Sequence, residues 1–318
     1  MRIAITGANG FLGSHLVEMA SYLGHEVTAL LRAGANTENL ESVSGFKIQE
    51  IDYSTEESII ESLKNLPKQD LIIHNAGLTK SYTLDKYLKV NVQLTEKLIN
   101  AIQKTQTLSE SGNFAYISSL AAMGPVGNGG PASNYGRSKV MAEKVIMKSG
   151  LNYAIFRPSG IYGERDVQFV PLIKAARLGL YPLMTSATHK MTMIHASDVA
   201  RNVIENGLSH SNVIVPLDDG NIYLHKDLQR VLESAIQKKT TTLKVPKGIV
   251  KGLLYISDII DRNLKRTPKL SLEHYKEISQ DWDHDFSDIR KQVPLLITIS
   301  LEDGFKRAVK YYKSKNLI

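Results

Sequence analysis

Over the first half of the chain, short runs of β-branched and aliphatic residues alternate with longer stretches whose apolar positions recur every three or four residues. The short runs predict strands over 2–6, 26–31, 46–51, 71–74, 114–118 and 153–156. The helical periodicity predicts helices over 12–23, 56–66, 87–103 and 135–149. Strands separated by helices imply crossover connections, hence a mostly parallel sheet covered on both faces. Beyond about residue 157 the alternation becomes irregular and is punctuated by Pro158, Pro171 and Pro182. No internal repeat or low-complexity linker divides the chain. The expected class is α/β, a doubly wound parallel sheet over 1–160 and about 196–225, with a smaller, discontinuous domain from about 161–195 and 226–318.

Composition narrows this picture. At roughly 150 residues per domain, 318 residues suit two domains or one with a large appendage. A chain that is 42% hydrophobic and 22% charged is neither disordered nor fibrous. The absence of cysteine excludes disulfides, thiolate metal sites and a cysteine nucleophile. It fits a reducing compartment, and a cytoplasmic location is expected. The chain reaches Gly7 too early for a signal-peptide core. Its longest apolar stretch, 248–260, contains Lys251 and Asp258, so no bilayer span is expected. The net charge of +7 is localised. Residues 238–276 hold ten Lys/Arg against three Asp/Glu, and the remainder balances at 29 each. No nucleic-acid partner is expected of so neutral a body. The basic segment reads either as a solvated helical face or as a surface for an acidic substrate or an anionic membrane.

The first strand runs into Gly7-Ala8-Asn9-Gly10-Phe11-Leu12-Gly13 and then into a helix. A diphosphate needs backbone N–H groups at a helix N-terminus, where the dipole favours negative charge. Gly7 permits the tight turn, Gly10 lets phosphate approach the backbone, and Gly13 lets helix and strand pack closely. The spacing is GxxGxxG and its place at the strand–helix junction points to a dinucleotide. The second strand ends at Arg32, where an acidic residue would bind both ribose hydroxyls of NAD. A cation there can instead meet a 2′-phosphate, so NADP(H) is favoured over NAD(H); the plain alternative is a solvated charge. The third strand ends at Asp52-Tyr53. Asp52 can accept from an adenine amino group or cap the next helix.

Tyr135 and Lys139 are four residues apart and share one helical face. A free phenol titrates near 10, too high for acid–base work at neutral pH. An adjacent ammonium is expected to stabilise the phenolate and lower that value. Such a tyrosine can exchange a proton with an alcohol or ketone oxygen while hydride moves at carbon. Ser119, at the end of the 114–118 strand, is placed to hold the same oxygen.

Further motifs follow in order: His74-Asn75-Ala76-Gly77, Val90-Asn91-Val92, Ser118-Ser119, Arg157-Pro158 with Tyr162-Gly163, and Met193-Ile194-His195-Ala196-Ser197-Asp198-Val199. Together with the glycine turn, Asp52-Tyr53 and the Tyr135/Lys139 pair, they resemble an extended short-chain dehydrogenase/reductase of the NAD(P)-dependent epimerase/dehydratase family. The resemblance implies a Rossmann domain with a substrate-binding cap. It also implies roles for residues. Gly7, Asn9, Gly10 and Gly13 would hold the pyrophosphate, with Phe11 and Leu12 lining it. Ala76 and Gly77 would lie near the adenosine ribose and phosphates. Asn91 would support Lys139 through water. Ser119, Tyr135 and Lys139 would form the catalytic triad, with Lys139 also binding the nicotinamide ribose. Pro158 and Ser159 would flank the nicotinamide. Val245-Pro246, the amphipathic run through Ile260 and Thr267-Pro268-Lys269-Leu270-Ser271 are similar to the dihydroflavonol-reductase and 3β-hydroxysteroid-dehydrogenase-like branch, in which C-terminal helices cap an apolar alcohol or ketone.

The resemblance also sorts reactions. Nucleotide-sugar dehydratases of this family carry an acid and a base just after the strand-end serine position, where this chain has Leu120-Ala121. The expectation is an enzyme, an NAD(P)-dependent oxidoreductase acting on a small carbonyl or alcohol substrate. The alternatives are a nucleotide-sugar 4-epimerase with tightly bound NAD and a non-catalytic dinucleotide sensor. Thr79, Lys80, Met123 and Tyr162 are expected substrate-pocket residues. No metal is expected; His195 and Asp198 read as residues that open and pack a helix, and His74 and Trp282 as structural. The resemblance also implies a homodimer, through the helices carrying Asn91 and Tyr135.

Overall fold

A computed structural model describes residues 1–264 and 271–318; Lys265, Arg266 and residues 267–270 of the proline motif lie outside the described residues. The strands are β1 (Arg2–Thr6), β2 (Glu26–Leu31), β3 (Phe46–Glu50), β4 (Gln69–His74), β5 (Leu108–Ile117), β6 (Tyr153–Pro158), β7 (Gly160–Tyr162), β8 (Leu180–Leu183), β9 (Met193–His195), β10 (Val213–Leu217) and β11 (Thr241–Lys244). Seven form one parallel sheet in the order β10-β6-β5-β4-β1-β2-β3. The helices are α1 (Phe11–Tyr22), α2 (Glu56–Leu63), α3 (Leu84–Tyr87), α4 (Leu94–Thr105), α5 (Asn134–Met147), α6 (Val170–Arg177), α7 (Ala196–Ser209), α8 (His225–Ile236), α9 (Lys247–Asn263), α10 (Leu272–Ile278), α11 (Ser287–Gln292) and α12 (Leu301–Ser314).

Side chains alternate across a strand, so β1 feeds both cores. Ile3 and Ile5 pack with Leu16 and Val17 of α1 and Val199 and Val203 of α7. Ala4 packs on the opposite face with Ile59 of α2, Leu98 of α4 and Ala142 of α5. Every β1 residue after Arg2 is buried, as expected of a parallel strand covered on both sides. The sheet reverses its winding between β1 and β4, and ligands of such sheets bind in the crevice at the carboxyl ends of those strands.

A second core joins β8, α6, α8 and α12, with Tyr181, Ile173, Leu232, Phe305 and Tyr312 buried together. A small cluster of Val250, Leu254 and Tyr275 fastens α9 to α10. Two departures from expectation bear on the site and the layering. The 87–103 helix is interrupted by a wide, π-type turn over Leu88–Gln93, a device frequent at functional sites. The stretch after Phe286, expected in the cap, returns to the Rossmann layer. Val293 is buried in the α1/α7 core. The Asn202 amide exchanges two 2.8 Å hydrogen bonds with the Leu296 backbone, and the Asp198 carboxylate accepts from the N–H groups of Thr298 and Ile299. Buried polar side chains of α7 need partners, and this segment supplies them.

Candidate active site

The turn after β1 is built to leave backbone N–H groups open. Gly7 has φ +61°, a left-handed conformation that favours glycine. A Cβ on Gly7 would press on the Ala76 backbone, and one on Gly13 would run into the Gly7 carbonyl. The strand ends and α1 therefore approach as closely as glycine allows. No side chain caps the N-terminus of α1 at Gly10, and its first turn holds no acidic residue. An anion of the pyrophosphate type fits that terminus. The amide of Asn9 donates to the Asn36 carbonyl at 2.8 Å, and the Asn39 amide donates to the Asn9 carbonyl at 3.0 Å. These bonds tie the loop after β2 to the glycine turn. Arg32 is exposed at the start of that loop.

Asp52 is exposed, and its carboxylate accepts from the Ser54 N–H and hydroxyl, both at 2.9 Å. The capping alternative for Asp52 is corrected here: Thr55 caps α2, accepting from the Ser58 N–H. Burial pushes the Tyr53 phenol upward in pKa.

The end of β4 lies opposite the turn. The Asn75 amide donates to the Gly7 carbonyl at 3.1 Å, and the Ala76 N–H donates to the Thr6 hydroxyl at 3.1 Å. His74 is fully buried between the Thr6 and Thr95 hydroxyls, and burial pushes its imidazole down to about 3. Asn91, in the π-type turn, clamps this loop: its side chain accepts from the Leu78 N–H at 2.7 Å and donates to the Leu78 carbonyl and to the Ser138 hydroxyl. A Cβ on Gly77 would touch both the Asn91 Oδ1 and the Lys139 Nζ. The Ala76-Gly77 segment, Asn91 and Lys139 thus meet at one place.

Ser119 and Tyr135 are brought together by a close helix approach. A Cβ on Gly136 would collide with the Ala121 carbonyl, so α5 begins directly against the turn after β5. The Ser119 hydroxyl accepts from the Ala121 N–H at 3.1 Å and lies close enough to the Tyr135 phenol to pull its pKa downward. Lys139 is buried, and its ammonium donates to the Ile117 carbonyl at 2.7 Å and the Tyr116 hydroxyl at 3.2 Å. It lies 4.7 Å from the Tyr116 ring centre and 5.8 Å from that of Tyr135. The electrostatics depart from the sequence expectation. The Tyr135 phenol is raised, not lowered, by burial first and then by Glu277, with the Ser119 hydroxyl opposing. Burial pushes Lys139 down to about 7, opposed by Glu143. Its ammonium serves Ile117 and Tyr116 rather than the Tyr135 oxygen. At neutral pH the phenol holds its proton.

Sequence periodicity gave no sign of the groups that enclose Tyr135. Tyr87 packs against it at 5.9 Å between ring centres. From the cap, α10 reaches the start of α5. Glu277 accepts from the Ser133 hydroxyl at 2.6 Å, and Glu273 accepts from the Asn134 N–H. The signal available was only a Glu pair four apart on a short helix, without a partner in view.

Other expected residues are distributed as follows. Thr79 is exposed and Met123 half-buried near the Ser119 turn. Burial lowers Lys80, while Asp166 pulls it upward; burial pushes Asp166 up to about 6. His274 of α10 is pushed down to about 4 by burial and by Lys80. Tyr162 is corrected: it does not line the crevice, because its ring stacks on Phe305 at 4.9 Å within the second core. Pro158 ends β6 buried, and the adjacent Ser159 hydroxyl is buried without a partner. Such an unsatisfied hydroxyl suits a bound polar group. His195 caps α7 through the Ser197 N–H, and the Trp282 indole donates to the Glu277 carbonyl. Among the described residues no group of three His, Asp or Glu is arranged for a metal ion.

The chain is similar to known proteins along most of its length. The model of the NAD dependent epimerase/dehydratase family matches residues 3–206. A ceramide reductase of Caulobacter vibrioides is 28% identical over 98% of this chain and 94% of its own length. A decarboxylating sterol-4-alpha-carboxylate 3-dehydrogenase of Candida albicans is 23% identical over 95% of each chain. In fold, UDP-glucuronic acid 4-epimerase from Bacillus cereus, solved with UDP-glucuronic acid and NAD, superposes with a TM-score of 0.74 at 20% identity, covering 99% of this chain and 100% of that one.

Proposed function

This chain belongs to the NAD dependent epimerase/dehydratase family, and we propose that within it the protein is a reductase that converts a ketone or aldehyde to its alcohol with NADPH. One observation carries the reading: Leu120 and Ala121, both buried, directly follow Ser119, so that turn offers no proton carrier for dehydration beside Ser119 and Tyr135. When bound between the glycine turn and Pro158-Ser159, the dinucleotide supplies the hydride. Ser119 orients the substrate oxygen, and Tyr135, protonated at neutral pH, donates to it as charge develops. Lys139 stabilises the phenolate left behind. The ceramide and sterol named for the two relatives make apolar, lipid-like carbonyls the class to assay first.

The test is NADPH absorbance against a panel of lipid-like ketones, simple aldehydes and nucleotide sugars. Consumption of NADPH with a carbonyl is expected; sugar isomerisation without net NADPH use would replace this reading with 4-epimerisation.

The choice of NADPH rests on Arg32. A charge-assisted hydrogen bond contributes about 1.5–3 kcal/mol, so Arg32→Glu should weaken NADPH binding roughly 10–100-fold or more, while NADH binding holds or tightens because a carboxylate there can accept from the ribose hydroxyls. Equal loss for both cofactors, by fluorescence titration, would remove Arg32 from the site.

Lys139 sets the pH dependence. Its ammonium is present below about 7 and titrates away above it. The kcat/KM for carbonyl reduction should therefore decline as pH rises from about 7. A profile flat to pH 9 would show that another group supports Tyr135.

A further inference from the structure

The longest helix of the cap, α9, turns little of its apolar surface inward. It seats Val250 and Leu254 against Tyr275 of α10, and Asp258 faces the same way, accepting from the Leu272 N–H. These positions are i, i+4 and i+8, one narrow strip of a helix with 3.6 residues per turn. The other apolar side chains lie off that strip. Ile249, Leu253, Ile256 and Ile260 follow i, i+4, i+7 and i+11, and Tyr255 and Ile259 widen the row. All six are 44–62% exposed. At about 100° per residue they cover roughly half the helix circumference. Lys251, also exposed, stands beyond Tyr255 at one edge of the arc.

An apolar arc alone would suit another protein as well as a lipid. The charge decides between them. The whole positive excess of the chain lies in residues 238–276, the segment that carries α9. The fully buried core of a protein interface is depleted of lysine, whereas an anionic bilayer attracts polybasic segments beside an amphipathic helix. Among the described residues, no helix is long and apolar enough to cross a membrane, so the contact is peripheral. We propose that α9 lies flat on an anionic lipid bilayer, its isoleucine-rich arc at the headgroup–acyl boundary and Lys251 at its edge among lipid phosphates. The surface connects to the site. The helix on which α9 rests, α10, holds Ser133 and Asn134 through Glu277 and Glu273, so the docked helix is one element away from Tyr135. The proposal goes beyond the reductase reading and does not depend on it.

The experiment is co-sedimentation of the full chain with phosphatidylcholine vesicles with or without about a third phosphatidylglycerol. Binding to the anionic vesicles is expected, at least ~10-fold weaker on neutral vesicles and at roughly 1 M salt. Ile256→Glu combined with Ile260→Glu should abolish it. Lys251→Glu, at an exposed position that leaves the α9 packing intact, should weaken it. Cofactor affinity and a thermal melt of each variant report that the fold is kept. A chain that stays in the supernatant, or binds both vesicles equally, overturns the proposal. So does a solution dimer that Ile256→Glu separates, which would make a second copy the occupant of the arc.

Discussion

Replacing Tyr135 with phenylalanine is expected to lower kcat for carbonyl reduction by about 10²–10⁴-fold, the usual contribution of a positioned general acid. NADPH affinity should change little, because the ring and its contact with Tyr87 at 5.9 Å remain. Only the phenolic hydroxyl is removed. The measurement is steady-state turnover of an identified substrate together with a cofactor titration. Turnover equal to that of the unaltered protein would end the assignment of Tyr135 as the acid. Loss of cofactor binding in step with turnover would instead show that the ring holds the dinucleotide.

The second large effect concerns stability. Glu143, one turn beyond Lys139 on α5, has a side chain only 2% exposed. Its carboxylate takes two hydrogen bonds from Arg157, at 2.9 and 2.5 Å, and one from the Ser118 hydroxyl at 2.5 Å. Glu143→Ala would leave a largely buried guanidinium unpaired, which costs about 3–5 kcal/mol and should lower Tm by roughly 5–10 °C. Glu143→Gln keeps one acceptor oxygen for the Ser118 hydroxyl and the Arg157 Nε–H but loses the charge and sets an amide donor against the Arg157 Nη2, so it should lose less than the alanine variant and still melt below the unaltered protein. Ser118 precedes Ser119 and Arg157 precedes Pro158, so activity should fall with Glu143→Ala even well below the new Tm. Calorimetry of the two variants tests this; equal melting of all three proteins would mean that water replaces the carboxylate at Arg157.

Much of the fold could be read from local pattern. The β1 residues and the glycine turn state their own geometry: a strand with consecutive apolar residues at Ile3, Ala4 and Ile5 must be covered on both sides, and Gly7 and Gly13 sit where a Cβ would strike backbone. The Tyr135/Lys139 pair is equally local, since four residues on a helix share a face. Elsewhere the pattern misled. Tyr162 is expected in the substrate pocket, yet stacking on Phe305 takes it into the second core. The same holds for the segment after Phe286, drawn to α7 by the buried side chains of Asp198 and Asn202.

The sequence by itself determined the parallel sheet, the glycine turn at a helix N-terminus and the placing of Tyr135 and Lys139 on one helical face, because each depends on neighbours within a turn or a strand. Only the tertiary structure decided the ionisation of the Tyr135 phenol. Ser133 and Glu277 are 144 positions apart, and the pKa of Tyr135 follows from burial beneath Tyr87 and α10 rather than from the lysine four residues away. Electrostatic shifts depend on distance and solvent exclusion in space, and neither is encoded in the spacing of residues along the chain.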